Sequence, residues 1–147
     1  MRTTTTAART ACLAILALGL LAGCLNQGDT KKMDDATAQL FARMQAGQYD
    51  AIYADAAPEL TGTTSKDGFV TLMQQMDAAY GACQAPVKAM NFNVNANTSG
   101  YFATQGYTAQ CAKGPKQLQV TMVLRQGVAR LAGIHFGPQA ATGGSPD

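Results

Sequence analysis

Imidazole, thiol, hydroxyl and carboxylate groups in the right company carry most protein chemistry, and this chain of 147 residues is short of them. It has one histidine, His135, and one glutamate, Glu59, with Ser65, Ser99 and Ser145 as its serines. A serine nucleophile needs an imidazole within hydrogen-bond reach to take its proton. Ser65 stands where a helix cap belongs, Ser99 in a turn and Ser145 in a small-residue tail, so each is spent elsewhere. His135 alternates with Ile134 and Phe136, which turns it away from any core those two enter. A lone imidazole there reads as a surface strand residue before it reads as a general base. Acid–base work needs carboxylates in split environments. Asp50, Asp55 and Glu59 surround Tyr49 and Tyr53 on what reads as a solvated helix face. No zinc, EF-hand or phosphate-loop spacing occurs, so neither a metal nor a cofactor is expected.

The rest of the composition argues against disorder and against nucleic acid as a partner. Hydrophobic residues make up 47% and charged residues 14%, as in an ordinary globular domain. Eleven Lys and Arg oppose nine Asp and Glu. Arg2 and Arg9 belong to a segment that reads as removable, which leaves 9 − 9 = 0 for the mature chain. A neutral domain lacks the basic face that nucleic acid requires, so no nucleic-acid partner is expected.

Residues 1–9 are polar and basic, and 11–21 (ACLAILALGLL) are an apolar run. At ~1.5 Å per residue that run spans about 16 Å, against roughly 30 Å of hydrocarbon. It is too short for a stable spanning helix and suits a secretory signal. The run closes on Leu21-Ala22-Gly23-Cys24, which resembles the lipobox of bacterial lipoproteins. The resemblance implies a signal peptide over 1–23 and a diacylglyceryl thioether and amide-linked acyl chain on Cys24. Such a chain is anchored to the membrane by lipid without spanning it. Inner-membrane retention goes with Asp after the lipidated cysteine; Leu25 here implies the outer membrane, periplasmic side.

With Cys12 in the signal and Cys24 acylated, Cys83 and Cys111 remain as one pair in an oxidising compartment. A disulfide between them is expected, two buried free thiols being the alternative. Residues 24–32 read as lipidated cysteine and tether, 33–136 as the folded domain, and 137–147 (GPQAATGGSPD) as a disordered tail.

The first half of the domain has helical period. Asp34 and Asp35 sit where a cap and first-turn acid belong, and Met33, Ala36, Leu40, Phe41 and Met44 recur at helical spacing up to Gly47. A short helix over 48–57 ends at Pro58, and a third, capped by Ser65, carries Phe69, Leu72, Met73, Met76 and Tyr80 before Gly81. The second half alternates with period two. Leu118, Val120, Met122 and Leu124 make a half-buried strand, and Gln126-Gly127 turns into another over 128–136. There a bulge near Ala132-Gly133 would put Ala129, Leu131, Ile134 and Phe136 on one face. Strands over 83–94 and 101–112 flank the turn-rich stretch 95–100. Centring that hairpin on Asn97 sets Phe92 opposite Phe102 and Cys83 opposite Cys111, with a second bulge at Gly106 left open.

Three helices followed by four antiparallel strands make an α+β fold, the helices covering the apolar face of a curved sheet. This order, with the phrases GQYDAIYADAAPEL and SKDGFVTLMQQMDAAYG, resembles the NTF2-like (cystatin-like) fold and the small bacterial lipoproteins that carry one such domain. Two functions follow. The first is a non-enzymatic protein-binding module, of the kind an immunity-type inhibitor of a toxin or cell-wall hydrolase would be. Its surface would be a polar sheet face bearing Tyr101, Tyr107, Gln117, Gln119, Thr121, Arg125 and His135. The second is a carrier or sensor of a small apolar ligand, in a pocket lined by Tyr53, Met73, Met76 and Met122.

Overall fold

Acidic and basic residues, not apolar spacing, support the first described helical turns. The computed structural model describes residues 27–137, so the 1–23 leader, Cys24 and the tail from 138 lie outside the described residues. Helix α1 (Gln27–Gln45) extends upstream of Met33, so 27–32, where the sequence offers no periodicity, is helical. Asp29 sits in its first turn, Lys32 pairs with Asp29 at 3.2 Å and Lys31 with Asp35 at 2.6 Å. Pairs three and four apart support a helix without leaving any apolar period to read. Asp34 and Asp35 are thus mid-helix rather than at a cap, and Asp34 reaches Lys88 at 2.7 Å.

Helix α2 (Tyr49–Ala54) follows Gly47, whose φ of 67° ends α1. Pro58, expected only to stop a helix, also starts one: it occupies the first turn of α3 (Pro58–Thr61). Helix α4 (Lys66–Tyr80) has the expected ends. The Ser65 hydroxyl accepts from the Gly68 N–H at 3.2 Å, and Gly81 closes the helix at φ 72°.

Four strands form one open antiparallel sheet in sequence order: β1 (Val87–Asn97), β2 (Gly100–Cys111), β3 (Gly114–Arg125) and β4 (Val128–Phe136). Cys83 bridges Cys111 and the two are joined by a disulfide, as the cysteine count predicts. The register centred on Asn97 is corrected elsewhere. Phe92 faces Gln105 and Asn95 faces Phe102, because the pairing shifts between Lys88 and Phe92. The irregularity lies in β1, opposite Gly106, and β2 runs without a break against β3. The Gln105 amide donates to the carbonyls of Ala89 at 2.7 Å and Asn91 at 2.9 Å, which pins the bulge. The Ala132 bulge in β4 is present: Thr121 pairs with Gly133 but Met122 with Leu131. Ala129, Leu131, Ile134 and Phe136 accordingly all join the main core.

That core lies between the helices and the inner sheet face. Leu40, Ile52, Phe69 and Met73 pack on Ala103, Tyr107, Leu118, Val120 and Met122. A smaller cluster on the other face unites Ala57, Val123, Ala132 and Phe102. It forms because the segment between α2 and α3 wraps the β4 edge, where the Ala57 N–H donates to the Leu131 carbonyl at 2.8 Å. The β4 edge is thus partly occupied, whereas β1 leaves Met90, Phe92 and Val94 exposed along the opposite edge.

Candidate ligand cavity

Where the far ends of α1, α4 and the sheet meet, the elements leave a half-open cavity of about 520 Å³. This volume is within the ~300–1,000 Å³ of small-molecule sites. Phe41, Met44 and Gln45 come from the last turns of α1, and Asp77 and Gly81 from the end of α4. Ala82, Cys83, Gln84 and Pro86 belong to the segment that leads from α4 into β1. Ala109 of β2 and Lys116 and Leu118 of β3 form the floor. The disulfide sets the floor against the wall, since Cys83 borders the cavity and Cys111 ends β2.

Lys116 is the unusual member. It pairs with Ala109 and shares the inward parity of Leu118 and Val120, so its side chain enters the protein and only 5% of the residue is exposed. Its ammonium lies 6.0 Å from the ring centroids of both Tyr80 and Phe136, at the outer limit of cation–π attraction. Among the described residues it makes no ion pair within 4.0 Å and no hydrogen bond. Burial pushes its pKa below the ordinary lysine range, against a smaller upward pull from Asp77. Asp77 itself is exposed and accepts a hydrogen bond from the Tyr49 hydroxyl. One wall is therefore apolar, one rim carries the Asp77 carboxylate, and the floor carries Lys116, which no carboxylate among the described residues approaches within ion-pair distance.

Sequence reading misses Lys116 because the alternation is legible only from Gln117, whereas β3 starts at Gly114. Gly114-Pro115 looks like a turn, yet Pro115 is already paired with Gln110. A strand extended to Gly114 puts Lys116 in phase with Leu118.

The residues expected to form a site are dispersed. Met73 and Met122 are buried core, and Tyr53 stacks near Phe69 and donates to the Thr64 carbonyl at 2.7 Å. Met76 is half-buried on α4, and none of these four lines the cavity. Tyr101 and Tyr107 do not stand on the polar sheet face. Both point inward with Ala103, Tyr107 meeting Phe41 edge-on at 4.8 Å between centroids. Their parity follows from the unbroken β2–β3 register, the bulge being in β1.

Gln117, Gln119, Thr121 and His135 do share the outer face, where His135 is exposed opposite Gln119 and Thr121 bonds Thr104 at 2.9 Å between hydroxyls. Arg125 is on that face but occupied. Its guanidinium grips Glu59 of α3 with two nitrogens, donates to the Ser99 carbonyl and lies 5.6 Å from the Phe102 ring centroid. The carboxylates near Tyr49 and Tyr53 are likewise paired outward, Asp50 with Lys66 at 2.7 Å and Asp55 with Arg43 at 2.5 Å.

No family model matches the sequence, and no curated protein matches it. Among solved structures, Aln2 from a Streptomyces species, determined at 1.8 Å, is similar with a TM-score of 0.52. The alignment covers 76% of this chain and 90% of that chain at 14% identity. Likeness at that identity is one of fold: helices on an open four-stranded antiparallel sheet.

Proposed function

We propose that this protein is a non-enzymatic binding domain of NTF2-like fold, lipid-anchored through Cys24 on the periplasmic side of the outer membrane, that takes a small apolar molecule into the cavity between α1, α4 and the sheet. The observation that carries this reading is the cavity itself, with Phe41, Met44, Pro86, Ala109 and Leu118 as apolar surface. Its placement suits a tethered receptor. Phe41, Met44 and Gln45 lie in the last turns of α1, about 21–27 Å from Gln27 at ~1.5 Å per residue. An anchor just before α1 then leaves the mouth facing away from the lipid. Native mass spectrometry of protein released from membranes should show a bound species under about 500 Da, roughly the size such cavities enclose. Ala82→Trp at the exposed rim should abolish it. A wild-type spectrum with bare protein alone, together with no uptake of added octanol, overturns the reading.

A protein contact is the second reading, and the exposed β1 edge favours it. Met90 is fully exposed and Phe92 is 60% exposed, and residues 92–97 carry no charge to repel an incoming strand. Such an edge would pair with a strand of a periplasmic partner, as an immunity-type inhibitor would. Phe92→Lys should then abolish a crosslink formed by the membrane-anchored protein; a crosslink that survives it removes β1 from that role.

A further inference from the structure

The cavity's floor says more about its occupant than its walls do. A lysine side chain with 5% of its surface exposed keeps its charge only at a desolvation cost, and proteins normally offset that cost with a carboxylate. Here no carboxylate lies within ion-pair distance among the described residues, and the two rings at 6.0 Å are a weak substitute. Asp77 does not fill the role, since it is exposed and already accepts from Tyr49. Lys116 nevertheless lines a space large enough for a molecule, together with Phe41, Met44 and Leu118.

We infer that the occupant is an apolar molecule with an anionic head, a medium-chain carboxylate in the simplest case, whose head pairs with Lys116 while its chain lies along Phe41, Met44 and Leu118. This rests on the cavity being a ligand site at all. Burial depresses the lysine's own pKa in the empty cavity, and an arriving carboxylate would restore it. A charge-assisted hydrogen bond formed there is stronger than a neutral one. The lysine is then a specificity residue: a neutral alcohol of equal length gains the walls but not the head.

The test compares octanoate with 1-octanol on the full-length protein in lipid nanodiscs, read against empty discs by calorimetry. Wild type should bind octanoate at least about tenfold more tightly than octanol, the margin of one charge-assisted hydrogen bond. Lys116→Met should lower octanoate affinity by about tenfold or more and leave octanol within roughly twofold. The same variant should be no less heat-stable than wild type without ligand, since it removes a buried unpaired charge; a lysine kept only for structure would behave oppositely. Equal wild-type affinities for the two probes overturn the anionic head while leaving the cavity reading intact, and that comparison needs no variant to fold. Unchanged octanoate binding by Lys116→Met removes Lys116 from the role. If neither probe binds wild type, the cavity reading fails and this inference with it.

Discussion

Glu59 and Arg125 show how one residue's neighbours decide its job. By type alone, the chain's only glutamate suits an acid–base pair and Arg125 suits a recognition face. Instead they clasp one another with two nitrogen–oxygen contacts and tie α3 to the outer face of the sheet. The guanidinium's hydrogen bonds hold the Glu59 carboxyl below its ordinary value of 4.5. A lowered carboxylate contributes stability that is present above 4.5 and lost as pH falls through the depressed folded value. Glu59→Gln should therefore lower Tm by a few degrees near pH 7, a modest effect because the pair is partly solvated. The difference from wild type should close in strong acid, once the Glu59 carboxyl is protonated and the side chain at this position is neutral in both proteins. Thermal unfolding of the two proteins at both pH values measures it; an equal gap at both would mean the pair is not the cause.

At the scale of elements, the β1 bulge and Gly106 form one unit. Asn91 lies over Gly106 so closely that a Cβ there would meet its Oδ1 at 2.1 Å. That oxygen is buried without a hydrogen-bond partner among the described residues. Gly106→Ala should cost about 1–3 kcal/mol, as overpacking does. It should also raise amide exchange around 89–91, where the Gln105 amide now holds the bulge carbonyls. Asn91→Ala in the same chain should recover most of the loss. Denaturant titration of the two single variants and the double variant gives the coupling, and independent effects would refute the contact.

For the whole molecule, the disulfide and the two sheet edges set what is rigid and what is open. Cys83–Cys111 closes a sequence separation of 28 residues around β1 and β2 and fixes one wall of the cavity to its floor. The chain-entropy account values such a closure at roughly 3–4 kcal/mol. Replacing both cysteines by serine should lower stability by about that much in urea titration and weaken octanol binding, because Cys83 borders the site. Stability lost with octanol affinity unchanged would show that the cavity does not depend on this link. The α2–α3 corner occupies part of one sheet edge, while β1 stays open with Phe92 and Met90 on view, so the molecule has one edge for packing and one for encounter.

Local signals in the chain are enough for helices followed by four strands, the Ser65 cap, the Gln126-Gly127 turn, the Ala132 bulge and the Cys83–Cys111 pairing, though not for α3. Each depends on residues close in sequence, or on a count so small that one pairing is left. The helical turns of α1 before Met33 are not legible in apolar period, because Lys31–Asp35 and Lys32–Asp29 pairs support them and carry no hydrophobic signal. Nor is the face of Tyr101 and Tyr107, because strand parity is inherited from the partner strand and the bulge that decides it lies in β1. The cavity is the furthest from sequence. Phe41, Asp77, Pro86 and Lys116 are scattered along the chain, and only the packing of α1, α4 and the sheet brings an unpaired ammonium to the floor of an apolar space.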